Sequence, residues 1–172
     1  MKYLKRMIPV LLAGMLLTGC GPYSDGVEYL ENGEYEQAEE AFSKAIEKEE
    51  NVAESYRGLG IALWELKEYE ACVKALKAAL ENGGEETAAI DSMIANCAME
   101  LDNYPEAIQF YVLGISDEKA SDELKQEMEF NLIAAYEKQG EWELAKEKLA
   151  EYVEKYPDDE KAAKEALFLE TR

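Results

Sequence analysis

The sequence predicts an all-α protein: a superhelix of about four helix–turn–helix units, closed by one further helix. Three observations carry this. The chain repeats itself with a period of about 34 residues, since Tyr35 and Tyr69, Ala38 and Cys72, Phe42 and Leu76, Ala45 and Ala79, and Ile46 and Leu80 each stand 34 apart. A fixed period of that length marks stacked repeats. Within each copy, apolar residues recur at helical spacing. The composition suits helices, with Ala, Leu, Glu and Lys abundant and only 4 prolines in 172 residues.

The first segment is of another kind. Lys2, Lys5 and Arg6 precede Met7 to Leu17, an uncharged apolar run of 11 residues. A bilayer span needs about 20 apolar residues, so this run fits the core of a secretory signal instead. It ends in Leu17-Thr18-Gly19-Cys20, which resembles the lipobox of bacterial lipoproteins. The resemblance implies that the Cys20 thiol is lipidated, that residues 1–19 are cut away as a signal peptide, and that 20–22 remain as a lipidated tether. Two or three acyl chains hold a protein to a membrane durably, whereas one holds weakly. The expected location is extracytoplasmic: the outer face of a bacterial cell membrane, or the outer membrane where the cell has two.

The repeats follow, over 23–157. Four units are expected at about 19–52, 53–86, 88–121 and 126–159. Their first helices carry Gly26, Tyr29 and Leu30; Tyr56, Leu59, Gly60 and Leu63; Ile94, Ala95 and Ala98; and Leu132, Ala135 and Tyr136. Their second helices read GEYEQAEEAFSKAI, KEYEACVKALKAAL, NYPEAIQFYVLGI and GEWELAKEKLAEYV. This pattern of Leu-Gly and Tyr, then Ala and Phe, resembles the tetratricopeptide repeat family. The resemblance implies a close helix crossing at which Gly60 or Ala95 faces Ala38, Cys72, Ala107 and Ala145. It also implies aromatic wedges at Tyr35, Tyr69, Tyr104 and Trp142. Departures from the pattern are Ile133 where a small residue is usual, Cys72 for an alanine, and Pro157 as the sole exit proline. Extra residues fall in Ser116 to Gln126, as a longer loop or a helix extension. The segment 158–172 is amphipathic, with Ala162, Ala163, Ala166, Leu167 and Leu169 on its apolar side and Asp158 placed to cap it. It is expected to cover the open end of the array.

Charge and residue types exclude several functions. Loss of 1–19 reduces 18 Lys and Arg to 15 against 38 Asp and Glu, a net charge near −23. Nucleic acid binding rests on basic groups that displace counterions, so no nucleic-acid partner is expected. There is no histidine, which removes His-based catalysis and His metal sites. No Asp-rich loop has calcium-hand spacing. No metal, cofactor or catalytic residue is expected, and the chain reads as a non-enzyme. A two-carboxylate hydrolase is the remote alternative, but no pair stands out. Ser116-x-x-Lys119 matches a penicillin-binding motif by chance, without its companions.

Binding remains. First helices of stacked repeats line a concave surface that holds partner segments. By resemblance to the family, the groove-facing residues are Tyr23, Val27 and Leu30; Arg57, Ile61 and Trp64; Ser92, Asn96 and Met99; and Phe130, Asn131, Ala134 and Lys138. Leu30, Trp64 and Met99 occupy equivalent places and form an apolar row in the groove or pack as core. A peptide with apolar anchors and some positive charge would suit it. Cys72 and Cys97 are a possible disulfide or two buried thiols. The expected function is an adaptor or scaffold that binds a protein or peptide partner. The alternative is a structural subunit of a cell-envelope assembly, of outer-membrane or pilus biogenesis type, using other faces.

Overall fold

A computed structural model describes residues 21–169. The signal-like segment, Cys20 and residues 170–172 lie outside the described residues. Within them, four antiparallel hairpins follow one another: α1 (Pro22–Glu31) with α2 (Tyr35–Glu47), α3 (Val52–Glu65) with α4 (Tyr69–Glu81), α5 (Ala88–Glu100) with α6 (Tyr104–Ser116), and α7 (Asp122–Gln139) with α8 (Trp142–Lys155). A ninth helix, α9 (Glu160–Leu169), packs on α8. The array is all-helical, as the periodicity predicts.

One backbone device makes all four hairpin turns. The N–H groups of Glu34, Glu68, Asn103 and Glu141 donate to the carbonyls of Tyr29, Leu63, Ala98 and Tyr136 at 2.8–2.9 Å. The residue before each donor is left-handed: Gly33 at φ 73°, Lys67 at 64°, Asp102 at 55° and Gly140 at 87°. This is the Schellman ending, which satisfies the last carbonyls of the first helix. The next helix starts one residue after each donor, on Tyr35, Tyr69, Tyr104 or Trp142. The aromatic wedges therefore sit at the first position of each second helix.

Two of these turns place an L residue where glycine is at ease. A side chain in that region costs roughly 1–2 kcal/mol, partly offset by the larger entropy glycine loses on folding. Lys67→Gly is expected to raise the urea-unfolding free energy by roughly 0.5–1 kcal/mol. Gly140→Ala is expected to lower it by about 1 kcal/mol. Beyond its two chain neighbours, no atom lies within 4 Å of a Cβ at Gly140, so that loss is conformational rather than steric. Equal melts for Gly140→Ala and the parent chain would refute this account of the turns.

The extra residues before the fourth unit lengthen a helix rather than a loop. α7 runs for 18 residues, against 13 or 14 in α3 and α5. Ser121 caps it by accepting from Leu124 N–H at 3.2 Å.

The small residues sit at close contacts. Ala38, Cys72, Ala95, Ala107 and Ala145 are all buried. Gly60 lies under the Leu76 side chain: a Cβ there would stand 2.6 Å from Leu76 Cδ2. Phe42 lies between two helical glycines, Gly26 of α1 and Gly58 of α3, and locks the first hairpin onto the second. Ile133 is buried with Ala145, Leu149 and Tyr152, and the fourth hairpin packs less intimately than the other three.

The closing helix differs in detail from expectation. Its cap is Asp159, not Asp158: Asp159 Oδ1 accepts from Lys161 N–H at 2.9 Å and Ala162 N–H at 3.2 Å. Tyr152 of α8 donates to the other oxygen at 2.8 Å and so ties the cap to the array. Ala162 and Leu169 are buried and Ala166 half-buried, whereas Ala163 and Leu167 are exposed. Positions 162, 166 and 169 share one helix face, and 163 and 167 are turned off it.

Candidate partner-binding site

The first helices form an inner layer. α1 touches α3 and α5 touches α7, each pair being the first helices of successive hairpins. Tyr23 of α1 lies near Glu54 and Arg57 of α3, and Asn131 of α7 reaches Asn96 of α5 at 3.4 Å.

Leu30, Trp64 and Met99 are equivalent in backbone as well as in sequence. Their carbonyls accept from Gly33, Lys67 and Asp102 N–H at 3.1, 3.0 and 3.2 Å, the second bond of each Schellman turn. All three side chains are half-buried and packed against the core. The Trp64 ring tilts over Tyr69 at 5.5 Å between centroids. The row is therefore both core and surface, anchored on one side and accessible on the other. Ile61 is half-buried beside it.

The polar positions divide. Arg57 forms an ion pair with Glu54 one turn earlier and stays partly exposed. Tyr23 edges onto Phe42 at 6.1 Å. Burial raises its hydroxyl pKa, Glu54 raises it further and Arg57 opposes. Ser92 is a correction: it is wholly buried and meets no groove. Asn96 Nδ2 donates to Ser92 Oγ at 3.5 Å, and Asn96 Oδ1 accepts from the Tyr111 hydroxyl at 2.5 Å. With Asn131 on the same Oδ1, this network pins α5, α6 and α7 together. The amides were expected to face a partner, and their bonds are spent largely inside the array. Phe130 is half-buried against Tyr152 at 5.5 Å. Ala134 is half-buried and Lys138 exposed.

Sequence reasoning missed an acidic flank. Glu31, Glu65 and Glu100 each follow a member of the apolar row by one residue, and all are exposed. The signal was present in the same 34- and 35-residue spacing. In the fourth unit, Glu137 and Lys138 stand at the matching positions, so the apolar row ends at the third.

Other candidate chemistry does not assemble. Ser116 donates to the Leu113 carbonyl at 2.6 Å and Lys119 pairs with Glu85 at 2.9 Å, so the Ser-x-x-Lys pair is not a nucleophile and its base. Between α1 and α2 a shallow depression includes Asp25 and Glu40. Glu40 is bound to Lys44 at 2.6 Å, which holds its carboxyl below its ordinary range. A general acid needs the opposite shift. Among the described residues no group of three Cys, Asp or Glu is arranged to hold a metal, and no helix is long and apolar enough to cross a membrane.

Cys72 of α4 and Cys97 of α5 are free thiols, both fully buried, with their sulfurs 3.1 Å apart. The bond to Cys72 and then burial push the Cys97 thiol pKa well up. A buried acid escaped the sequence reading altogether. Asp91 of α5 is 2% exposed, and its Oδ1 has no hydrogen-bond partner.

Comparison with known proteins agrees with this architecture. Residues 23–71 and 128–159 match models of the tetratricopeptide repeat, so the chain carries such repeats in both halves of the array. The crystal structure of YrrB, described as a TPR protein with an unusual peptide-binding site, is similar over 86% of this chain and 74% of that one, at 19% identity and TM-score 0.73. MamA 41-end from Desulfovibrio magneticus RS-1 matches 91% of this chain and 87% of its own, at 19% identity and TM-score 0.74. Another MamA crystal structure matches 86% and 78%, at 16% identity and TM-score 0.73. At these identities the likeness is one of fold. No curated protein matches the sequence.

Proposed function

We propose that the chain is a non-catalytic adaptor that holds a segment of another protein along its inner helices, tethered outside the cytoplasm by lipid on Cys20. The observation that carries the binding reading is the half-buried row Leu30, Trp64 and Met99, flanked by exposed Glu31, Glu65 and Glu100. A segment with apolar anchors and Lys or Arg beside them complements both features: apolar contact supplies affinity, and opposite charge supplies orientation and a faster encounter. The repeat matches support this use, as does the peptide-binding site for which YrrB is described. The basic start, the 11-residue apolar run and Leu17-Thr18-Gly19-Cys20 support the tether.

A second reading has its own observation. On the second helices, Val112 (49% exposed), Leu113 (38%) and Leu144 (39%) are open to solvent, as an assembly subunit docking through its outer face would require.

One experiment separates these readings. Tagged chain is crosslinked on cells, and its partners are compared with those of Trp64→Ala/Met99→Ala, Val112→Ser/Leu113→Ser and Cys20→Ser, after circular dichroism shows each variant folded. Loss of a partner with the first variant is expected. The purified partner should then bind that variant at least about 30-fold more weakly, the scale of a hot-spot residue. Loss only with the second variant would favour assembly, and retention by both would overturn both readings. Cys20→Ser is expected to leave the membrane fraction, and its retention there would sink the tether.

A further inference from the structure

We propose that Cys72 and Cys97 are an oxidation site that staples the second repeat to the third. The pair spans a weak point. Of the three junctions between successive hairpins, α4–α5 has the thinnest packing. It also has the longest linker, six residues at 82–87 that include Gly83 and Gly84. The sulfurs meet there at 3.1 Å, inside ordinary contact and about 1 Å beyond a disulfide bond. Both side chains belong to the core cluster against which Trp64 and Met99 pack.

The chemistry needs an oxidant, which is a disulfide: either a low-molecular-weight one or that of a thiol–disulfide oxidoreductase. One cysteine thiolate attacks a sulfur of the oxidant, forming a mixed disulfide and expelling a thiolate. The second cysteine thiolate then attacks the protein sulfur of that mixed bond and expels the other thiolate. Two electrons pass to the oxidant, and the two protein thiol protons end on its two released thiols. The folded pair is fully buried, and only the thiolate attacks. The bond therefore forms as the chain folds, or when the α4–α5 junction opens, and is then shielded from reduction.

The closed loop is about 25 residues long. In the chain-entropy account this raises Tm by about 10 °C for a chain of this size. The staple also fixes the angle between the units that carry Trp64 and Met99.

The test uses the full chain in mild detergent, unfolded in urea with reductant and refolded with oxidised and reduced glutathione. Expected are a mass 2 Da below the dithiol form, no free thiol at Cys72 or Cys97 on alkylation under denaturing conditions, and a Tm about 10 °C above the reduced chain. Cys97→Ala, an alanine for a small buried group, should fold and show no glutathione-dependent rise in Tm. Two persisting glutathione adducts, free thiols after refolding, or an oxidised form that melts no higher than the reduced one would each overturn the proposal. The oxidant is supplied in the tube, so this result stands apart from the proposed export. Thiol trapping of chain isolated from the cell envelope then reads whether the compartment closes the bond.

Discussion

Phe42→Ala is expected to destabilise the chain by about 3–5 kcal/mol, and Gly58→Ala by about 1–3 kcal/mol although alanine is the better helix former. Both numbers come from one contact. Phe42 is 1% exposed. A Cβ on Gly58 would stand 2.3 Å from its Cζ, and a Cβ on Gly26 would stand 2.9 Å from its Cδ1. The ring fills the space that two helices from successive repeats leave by having no side chain. Removing the ring opens a cavity between the first and second hairpins, and adding a methyl at Gly58 drives the ring out. A double-mutant cycle by urea unfolding checks the mechanism. In Phe42→Leu the smaller side chain should tolerate the new methyl, so Gly58→Ala should cost less there than in the parent chain. Equal costs in both backgrounds would show that Gly58 is not a packing glycine. As the array is quasi-one-dimensional, the loss should fall first on α1 and α2, read by hydrogen exchange.

Those glycines show what the sequence revealed and what it withheld. The period, the helix pairs and the aromatic at the start of each second helix were legible, because each repeats at fixed spacing. Gly58 was not singled out, since its partner Phe42 lies 16 residues back in another hairpin. Which small residue meets which large one depends on the crossing of two helices, and periodicity does not fix that. The same limit explains Ser92. Its place in the repeat put it on the inner layer, but tertiary packing buried it under Asn96. The apolar row was legible because Leu30, Trp64 and Met99 recur with the turn that follows them. The acidic flank had the same period and was hidden by the acidity around it. In a chain with 38 carboxylates, three in register look like solvation until their neighbours are placed.

Asp91 could not have been read at all, and it carries the largest expected pH effect. Asp91 of α5 is buried with its Oδ1 unpartnered, and a Cβ on Gly114 of α6 would meet both the Asp91 Cβ at 3.1 Å and the Met128 sulfur of α7 at 2.7 Å. Burial first, then the charges of Glu86 and Asp117, push the Asp91 pKa from 3.8 to about 7. No cationic group offsets them among the causes of that shift. The folded chain therefore holds a proton between about pH 4 and 7 that the unfolded chain has released. Because the native state binds more protons in that window, stability falls as pH rises through it. The decline is complete above about pH 7 and absent below the unfolded value. Its size is on the order of 4 kcal/mol. Asp91→Asn removes the charge at constant shape and leaves one neutral polar group buried. At pH 8 it is expected to stabilise the chain by about 2–3 kcal/mol. The difference between variant and parent should fall by about 1.4 kcal/mol per unit between pH 7 and pH 4, change sign near about pH 5, and leave the variant about 1–2 kcal/mol the less stable at pH 4. The comparison is made by difference because Asp117 and Asp159, whose pKa values are lowered in the folded chain, impose the opposite trend on both proteins at acid pH. A pH-independent difference would mean that Asp91 is ionised and satisfied in the folded chain. A variant less stable than the parent at pH 8 would mean that the carboxylate has a partner holding the α5–α7 junction together.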